Sequence, residues 1–196
     1  MCERESEDFV VQADKQTSGR GRKDRTWKSP PGNLYFSLCT KRTSLLPLRA
    51  SVAVVQTLED IGISPSLKWP NDVIVNKKKI CGILTEVVGD RGIIGLGLNV
   101  ESAPIEESIC ISDLLDTEVS LDELMKMIIS DFYDIKDVLE VYRNHSSTIG
   151  ERVKIKTVNH DFKGVVEDID EKGRLVLENG KRFISGDVVH LRETPN

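Results

Sequence analysis

The sequence predicts an α+β protein in two parts: a sheet with helices packed on it, followed by a small β-barrel-like module. Three observations carry this reading. Strand-like runs bounded by turn residues alternate with two longer segments whose apolar residues recur at helical spacing. Near Ile149-Gly150 the pattern changes to short strands separated by turn signals at Asn159-His160, Glu171-Lys172-Gly173, Asn179-Gly180 and Ser185-Gly186. A chain of 196 residues, 39% hydrophobic and 30% charged, can bury one main core and carry an appendage. The expected division is 1–148 and 149–196.

The elements follow in order. Phe9-Val10-Val11-Gln12-Ala13 reads as a strand feeding a basic loop, and the turn Pro30-Pro31-Gly32-Asn33 leads into a second strand, Leu34 to Cys39. Ser44 is expected to cap a helix with Pro47 in its first turn, its apolar face carried by Leu48, Val52, Val55 and Leu58 as far as about Gly62. A meander comes next: Leu67 to Trp69, Asp72 to Val75, a turn at Asn76-Lys77-Lys78, Ile80 to Val88, a turn at Gly89-Asp90, and Gly92 to Val100. A short helix is expected from Ile111 to Leu115. Ser120 and Glu123 form a capping-box pattern ahead of one continuous helix whose stripe runs from Leu121 through Met125, Ile128, Phe132, Ile135 and Leu139 to Tyr142.

Composition excludes several classes. No apolar run approaches the ~20 residues that span a bilayer, and the acidic start, Met1 to Asp8, lacks the apolar core of a signal peptide. The cysteines (Cys2, Cys39, Cys81, Cys110) have no paired spacing and read as reduced thiols. With the histidines dispersed as well, no zinc site is suggested. A cytoplasmic protein without a membrane partner is expected. The net charge is −5, and the terminal module holds nine basic and nine acidic residues, so no broad basic face offers itself to nucleic acid.

Positive charge is instead local. Between Asp14 and Pro30, Lys15, Arg20, Arg22, Lys23, Arg25 and Lys28 face two acids, Asp14 and Asp24. Gly19 and Gly21 let the backbone approach a ligand, guanidinium groups suit phosphate and carboxylate oxygens, and Trp27 offers a flat cover. Neither a P-loop nor a dinucleotide fingerprint is present. Taken alone, the stretch fits a loop closing over an anionic, nucleotide-containing ligand, and equally a solvated or nucleic-acid-binding arm. A second signal lies in Lys68-Trp69-Pro70-Asn71-Asp72, followed by Lys79, Gly82-Ile83-Leu84 and Gly95-Leu96-Gly97-Leu98-Asn99. A hairpin brings Asp72 and Lys79 onto adjacent strands, where they could also form an ordinary surface ion pair.

Together, Gln-Thr-x-Gly-Arg-Gly-Arg-x-x-Arg-x-Trp, Lys-Trp-Pro-Asn-Asp, Lys-x-x-Gly-Ile-Leu and Gly-x-Gly-x-Asn resemble the biotin protein ligases in order and spacing, over nearly the whole chain. The resemblance implies a mixed sheet like that of class II aminoacyl-tRNA synthetases and an SH3-like C-terminal barrel. It implies ATP and biotin as substrates with Mg²⁺ assisting, and transfer of biotin to a lysine of a biotin carboxyl carrier domain. By motif, Gln16, Gly19, Arg20, Gly21, Arg22, Lys79, Gly82 and Gly95 would contact biotin. Arg20, Arg25, Trp27, Asn71, Asp72, Lys79 and Asn99 would contact ATP, and Lys79, Arg22 and Asp72 would carry catalysis. The metal's ligands are not assigned, and a homodimer is compatible with the family.

The pattern departs from the family at the start. Eight residues precede Phe9, and they contain no counterpart of the family's first strand and helix, whose Ser/Thr-Thr-Asn segment bonds the ureido ring. A non-catalytic biotin- or adenylate-binding remnant is therefore one alternative, and a lipoate-type ligase of the same superfamily is the nearest enzyme alternative. With no helix-turn-helix ahead of the domain, a DNA-binding repressor is not expected.

Overall fold

The computed structural model of the protein describes residues 7–157 and 160–191. Strands β1 (Phe9–Ala13), β2 (Leu34–Lys41), β3 (Ser66–Lys68), β4 (Asp72–Val75), β5 (Lys78–Val88) and β6 (Arg91–Leu98) form a six-stranded sheet ordered β1-β2-β6-β5-β4-β3. Its strand pairs are antiparallel, and single parallel bridges, Leu67 with Ser146 and Lys79 with Ser108, tie later segments to it. The β4–β5 turn is tight because Asn76 and Lys77 both adopt left-handed backbone conformations, with φ of 50° and 65°. Such turns match the twist of the flanking strands.

Helix α1 (Leu46–Asp60) lies against the sheet, flanked by α2 (Leu121–Asp134) and α3 (Val138–Asn144). Because the sheet and both helices surround it, α1 is buried well beyond one stripe: Ala50, Ala53 and Val54 are as enclosed as Val52, Val55 and Leu58. Each fully buried Val or Leu contributes roughly 1.5–3 kcal/mol, which makes this helix the centre of the core. Its start differs from expectation. Leu45, with φ of 59°, occupies the cap position and no side chain caps the helix, so Ser44 does not serve; Pro47 does sit in the first turn.

The second helical segment is broken. Ser120 Oγ accepts from the Glu123 amide at 3.3 Å, one half of the capping box. The stripe does not continue to Tyr142 in one helix, because the chain turns extended at Ile135 (ψ 124°) before α3 begins. Arg49 of α1 is the physical cause. Its Nη1 donates to the carbonyls of Phe132 and Ile135, both at 2.9 Å, satisfying acceptors that otherwise need a further helical turn.

Beyond α3, β7 (Arg152–Lys156), β8 (Asp161–Ile169), β9 (Leu175–Leu177), β10 (Arg182–Phe183) and β11 (Asp187–His190) form a second sheet ordered β10-β9-β8-β7-β11. Among the described residues β10 and β11 do not pair, so this SH3-like module is an open sheet rather than a closed barrel. The turn expected at Asn159 lies outside the described residues. Trp69, 1% exposed, joins the two sheets by donating from Nε1 to the carbonyl of Gly173 at 3.0 Å. Arg143 adds a forked pair with Asp168 at 2.7 and 2.6 Å.

Cys81 and Cys110 are buried free thiols, and burial pushes both pKa values up. Cys39 is disulfide-bonded, which corrects the expectation of reduced thiols at that position. Spacing in sequence does not reveal such a bond, because it depends on how close the fold brings two Cα atoms. Cys2 lies outside the described residues.

Candidate active site

The ends of β3 to β6, the basic loop and the edge of the second sheet enclose a cavity of about 380 Å³. Along β5 and β6, glycines replace side chains on the face away from the helices. Gly82 stands directly opposite Gly97, and Gly95 lies one step along the same face of β6. The result is a bare strip of backbone that a flat group can approach. Gly95 is open: a Cβ there would meet nothing nearer than the Leu84 carbonyl at 3.6 Å. Gly82 and Gly97 are covered by the Trp27 indole, which a Cβ would strike at 2.8 and 2.5 Å respectively.

At the edge of this strip Lys79 and Asp72 meet, Nζ to Oδ1 2.6 Å, with side chains 28% and 27% exposed. A register shift between Val73 and Ile74 accompanies the pairing of β4 with β5 and brings these two side chains together. The Lys79 backbone is fixed on both sides: its amide donates to Glu107 O at 2.9 Å, and its carbonyl accepts from Ile109 N at 3.0 Å. Lys79 Nζ also lies 5.0 Å from the centroid of the Trp27 ring. A fixed ammonium beside a carboxylate in a partly shielded cavity can pair with an incoming anion and stabilise charge that builds on it.

The basic loop closes the cavity through ties to both sheets. Trp27 N donates to Gly19 O at 2.9 Å, and a bridge joins Arg20 to Thr26, pinching the loop at its base. Arg22 Nη1 donates to Asn71 Oδ1 at 2.9 Å and Nη2 to the Gly186 carbonyl at 3.3 Å. Lys23 and Arg25 both pair with Asp187, the former at 3.2 Å. Burial alone raises the Asp187 pKa, but the ammonium of Lys23 and the guanidiniums of Arg25 and Arg22 outweigh it and hold the carboxyl below its ordinary value. Burial lowers the pKa of Arg22, with Asp187 and Asp72 acting in opposition.

Most residues singled out from the sequence come together here. Gln16, Arg20, Gly21, Arg22, Arg25, Trp27, Asn71, Asp72, Lys79, Gly82 and Gly95 line the cavity. Two do not. Gly19 is the pinch point of the loop, where a Cβ would fall 2.4 Å from the Trp27 carbonyl. Asn99, 1% exposed, donates from Nδ2 to Ile109 O at 3.1 Å and to Lys79 O at 3.4 Å, so it braces the segment behind Lys79.

Sequence reasoning missed Gly97, Gly186, Asp187 and Ile105, all of which line the cavity. Gly97 was legible as the same-face partner of Gly95. Asp187 carried no local signal, being 162 residues from Arg25. As to metals, no cluster of three or more His, Cys, Asp or Glu exists among the described residues. Mg²⁺ commonly binds through one or two carboxylates and the substrate phosphates, and Asp72 is a carboxylate in position for that.

Comparison with known proteins places a chain with this glycine strip, lysine–aspartate pair and basic loop among the biotin/lipoate ligases. The pattern of the Biotin/lipoate A/B protein ligase family matches residues 3–99, and that of the Biotin protein ligase C terminal domain matches residues 148–191. The Biotin--[acetyl-CoA-carboxylase] ligase of Mycobacterium tuberculosis is 35% identical over 93% of this chain and 79% of that protein. The Bifunctional ligase/repressor BirA of Bacillus subtilis is 35% identical over 93% of this chain, which spans 66% of that protein's length. Among solved structures, the biotin protein ligase of Aquifex aeolicus in complex with biotin and ATP superposes with a TM-score of 0.78 at 31% identity, covering 94% of this chain and 89% of the other. The chain belongs to the biotin protein ligase family.

Proposed function

We propose that this chain activates biotin with ATP and passes it to the ε-amine of a lysine on a biotin carboxyl carrier domain, residues 1–148 holding the substrates and 149–196 closing the site. The observation that carries the reading is the Lys79–Asp72 pair at 2.6 Å beside the glycine strip and beneath the basic loop. A carboxylate oxygen of biotin attacks the α-phosphorus, the bond to the bridging oxygen breaks, and pyrophosphate leaves. Lys79 exchanges Asp72 for the biotin carboxylate and then for the charge on the five-coordinate phosphorus. Arg22 and Arg25 face the phosphates, and Asn71 orients Arg22 through its side-chain oxygen. Asp72 is the carboxylate that would help hold Mg²⁺ bound with ATP, which would neutralise phosphate charge there.

In the second half-reaction the amine attacks the carbonyl carbon of the mixed anhydride, an amide bond forms and AMP leaves. Asp72, freed from Lys79, is placed to take the amine's proton. The closed loop keeps water from the anhydride between the two steps. Exchange of labelled pyrophosphate into ATP by the purified chain tests the first step. Exchange that depends on biotin and not on lipoate is expected. Exchange driven by lipoate, or none from a folded chain that also fails to label a carrier domain, would replace this reading with the lipoate-type or binding-remnant alternative.

A further inference from the structure

We infer that Asn33 is a positioning residue for Lys79: its side chain roots the segment that leaves β6 and clamps the Lys79 backbone from behind. The inference rests on the biotin-ligase reading for what Lys79 does, and deepens it by naming what holds Lys79 at the cavity.

The sequence marks Asn33 only as the last residue of a turn, yet it is 1% exposed and both ends of its side-chain amide are engaged. Its Oδ1 accepts from the amides of Val100, Glu101 and Ser102 at 2.8, 3.0 and 3.1 Å. Its Nδ2 donates to the Ser102 carbonyl at 3.0 Å and to the Ser102 hydroxyl at 3.2 Å. Converging N–H groups require an oxygen and a carbonyl requires a donor, so the amide can face only one way. Asparagine is the residue type this place demands. An aspartate would set an oxygen against the Ser102 carbonyl, and an apolar side chain would leave buried amides without acceptors, which is costly.

The consequence reaches Lys79 through one short stretch of chain. After Asn99 the backbone leaves β6, passes over Asn33 and returns beside Lys79. There Glu107 O accepts from the Lys79 amide at 2.9 Å, and Ile109 N donates to the Lys79 carbonyl at 3.0 Å. The two ends of the segment are tied to each other: Ile111 N donates to Asn99 O at 3.1 Å and Ser112 N to Val100 O at 2.9 Å. At its tip Ser108 Oγ donates to the Ile105 carbonyl at 2.6 Å, and Ile105 reaches the cavity wall. Residues 100–110 form neither helix nor strand. Their backbone groups therefore depend on partners such as Asn33 for what a ladder gives a strand. Two buried asparagines thus serve one lysine: Asn99 bonds the clamp directly, and Asn33 roots it.

In native-state hydrogen exchange, the amides of Val100 and Ser102 report on Asn33, and those of Lys79 and Ile109 on the clamp. These amides are expected to open together, with one common dependence on denaturant. In Asn33→Ala they are expected to exchange about tenfold faster while the buried amides of α1 keep their protection. The same variant is expected to lower kcat of biotin-dependent pyrophosphate exchange about tenfold, with KM for ATP within about twofold, because a displaced Lys79 is felt in the transition state. Introduced into Lys79→Ala, Asn33→Ala is expected to change the residual rate by less than about twofold, since the group through which it acts is gone. Independent opening of the two amide pairs in the native chain overturns the inference, and that measurement stands even where Asn33→Ala does not fold. An equal loss of rate in both backgrounds overturns it too, being the mark of general loosening. Failure of the ligase reading looks different: no chain exchanges pyrophosphate, while hydrogen exchange still decides whether Asn33 roots the clamp.

Discussion

At the residue scale the proposed chemistry turns on Lys79. An exposed Lys–Asp pair on a hairpin contributes little to stability, so this pair's value lies in where it sits rather than in what it holds together. The pair lines the cavity, its lysine backbone is braced by Glu107 and Ile109, and an aromatic ring covers the ammonium. Lys79→Ala is expected to leave the circular dichroism spectrum intact and to slow biotin-dependent pyrophosphate exchange by about 10²–10³, the scale on which losing one preorganised charge-stabilising group is felt. Exchange at near-native rate in the alanine variant would take Lys79 out of the mechanism. Lys79→Arg tests shape against charge: a planar fork does not reproduce a point charge, so only partial rescue is expected.

At the scale of elements, what the sequence disclosed depended on how local the determining forces were. The strands around Phe9, Leu34 and Asp72 and the turn at Asn76-Lys77 were legible, because alternation and turn chemistry act within a few residues. The cavity residues contributed by the basic loop and by β3 to β6 were legible for a similar reason, since each motif lies within one loop or hairpin. The break between α2 and α3 was not, because an arginine on a third element imposes it while the apolar stripe runs on undisturbed. That account predicts the effect of Arg49→Ala. Losing two hydrogen bonds from a charged donor is expected to cost about 1–3 kcal/mol, seen as a fall in melting temperature of about 2–4 °C per kcal/mol for a chain of this size. Pyrophosphate exchange below the melting range should be unaffected. No thermal shift would mean that something other than Arg49 ends α2.

For the whole molecule, the small second sheet is part of the site. It supplies Asp187 and Gly186 to the loop and meets the first sheet at Trp69, contacts between parts of the chain too distant for motif reading to connect. Acid should act on this assembly in two stages. Burial, reinforced by the nearby Lys68 charge, lowers the His190 pKa from its ordinary 6.5, so its stabilising contribution is full above that value and declines as pH falls below it. Asp8 and Asp187 are also raised by burial, but their hydrogen bonds and cationic neighbours bring them below 3.8, so their share is lost only as pH falls through that lower range. Melting temperatures from pH 8 to pH 3 should show both declines, and His190→Gln should remove the first. A single decline confined to the lowest pH would contradict the role given to His190. The clasp at Asp187 has one more consequence. The Arg25 side chain is 64% exposed, so bulk ions reach this pairing. Screening shortens from ~8 Å at physiological ionic strength to ~3 Å at 1 M salt. On the proposed mechanism, how long the loop stays shut over a labile anhydride thus becomes a property of the medium: the same polypeptide would be a sealed vessel in dilute buffer and a leaking one in brine.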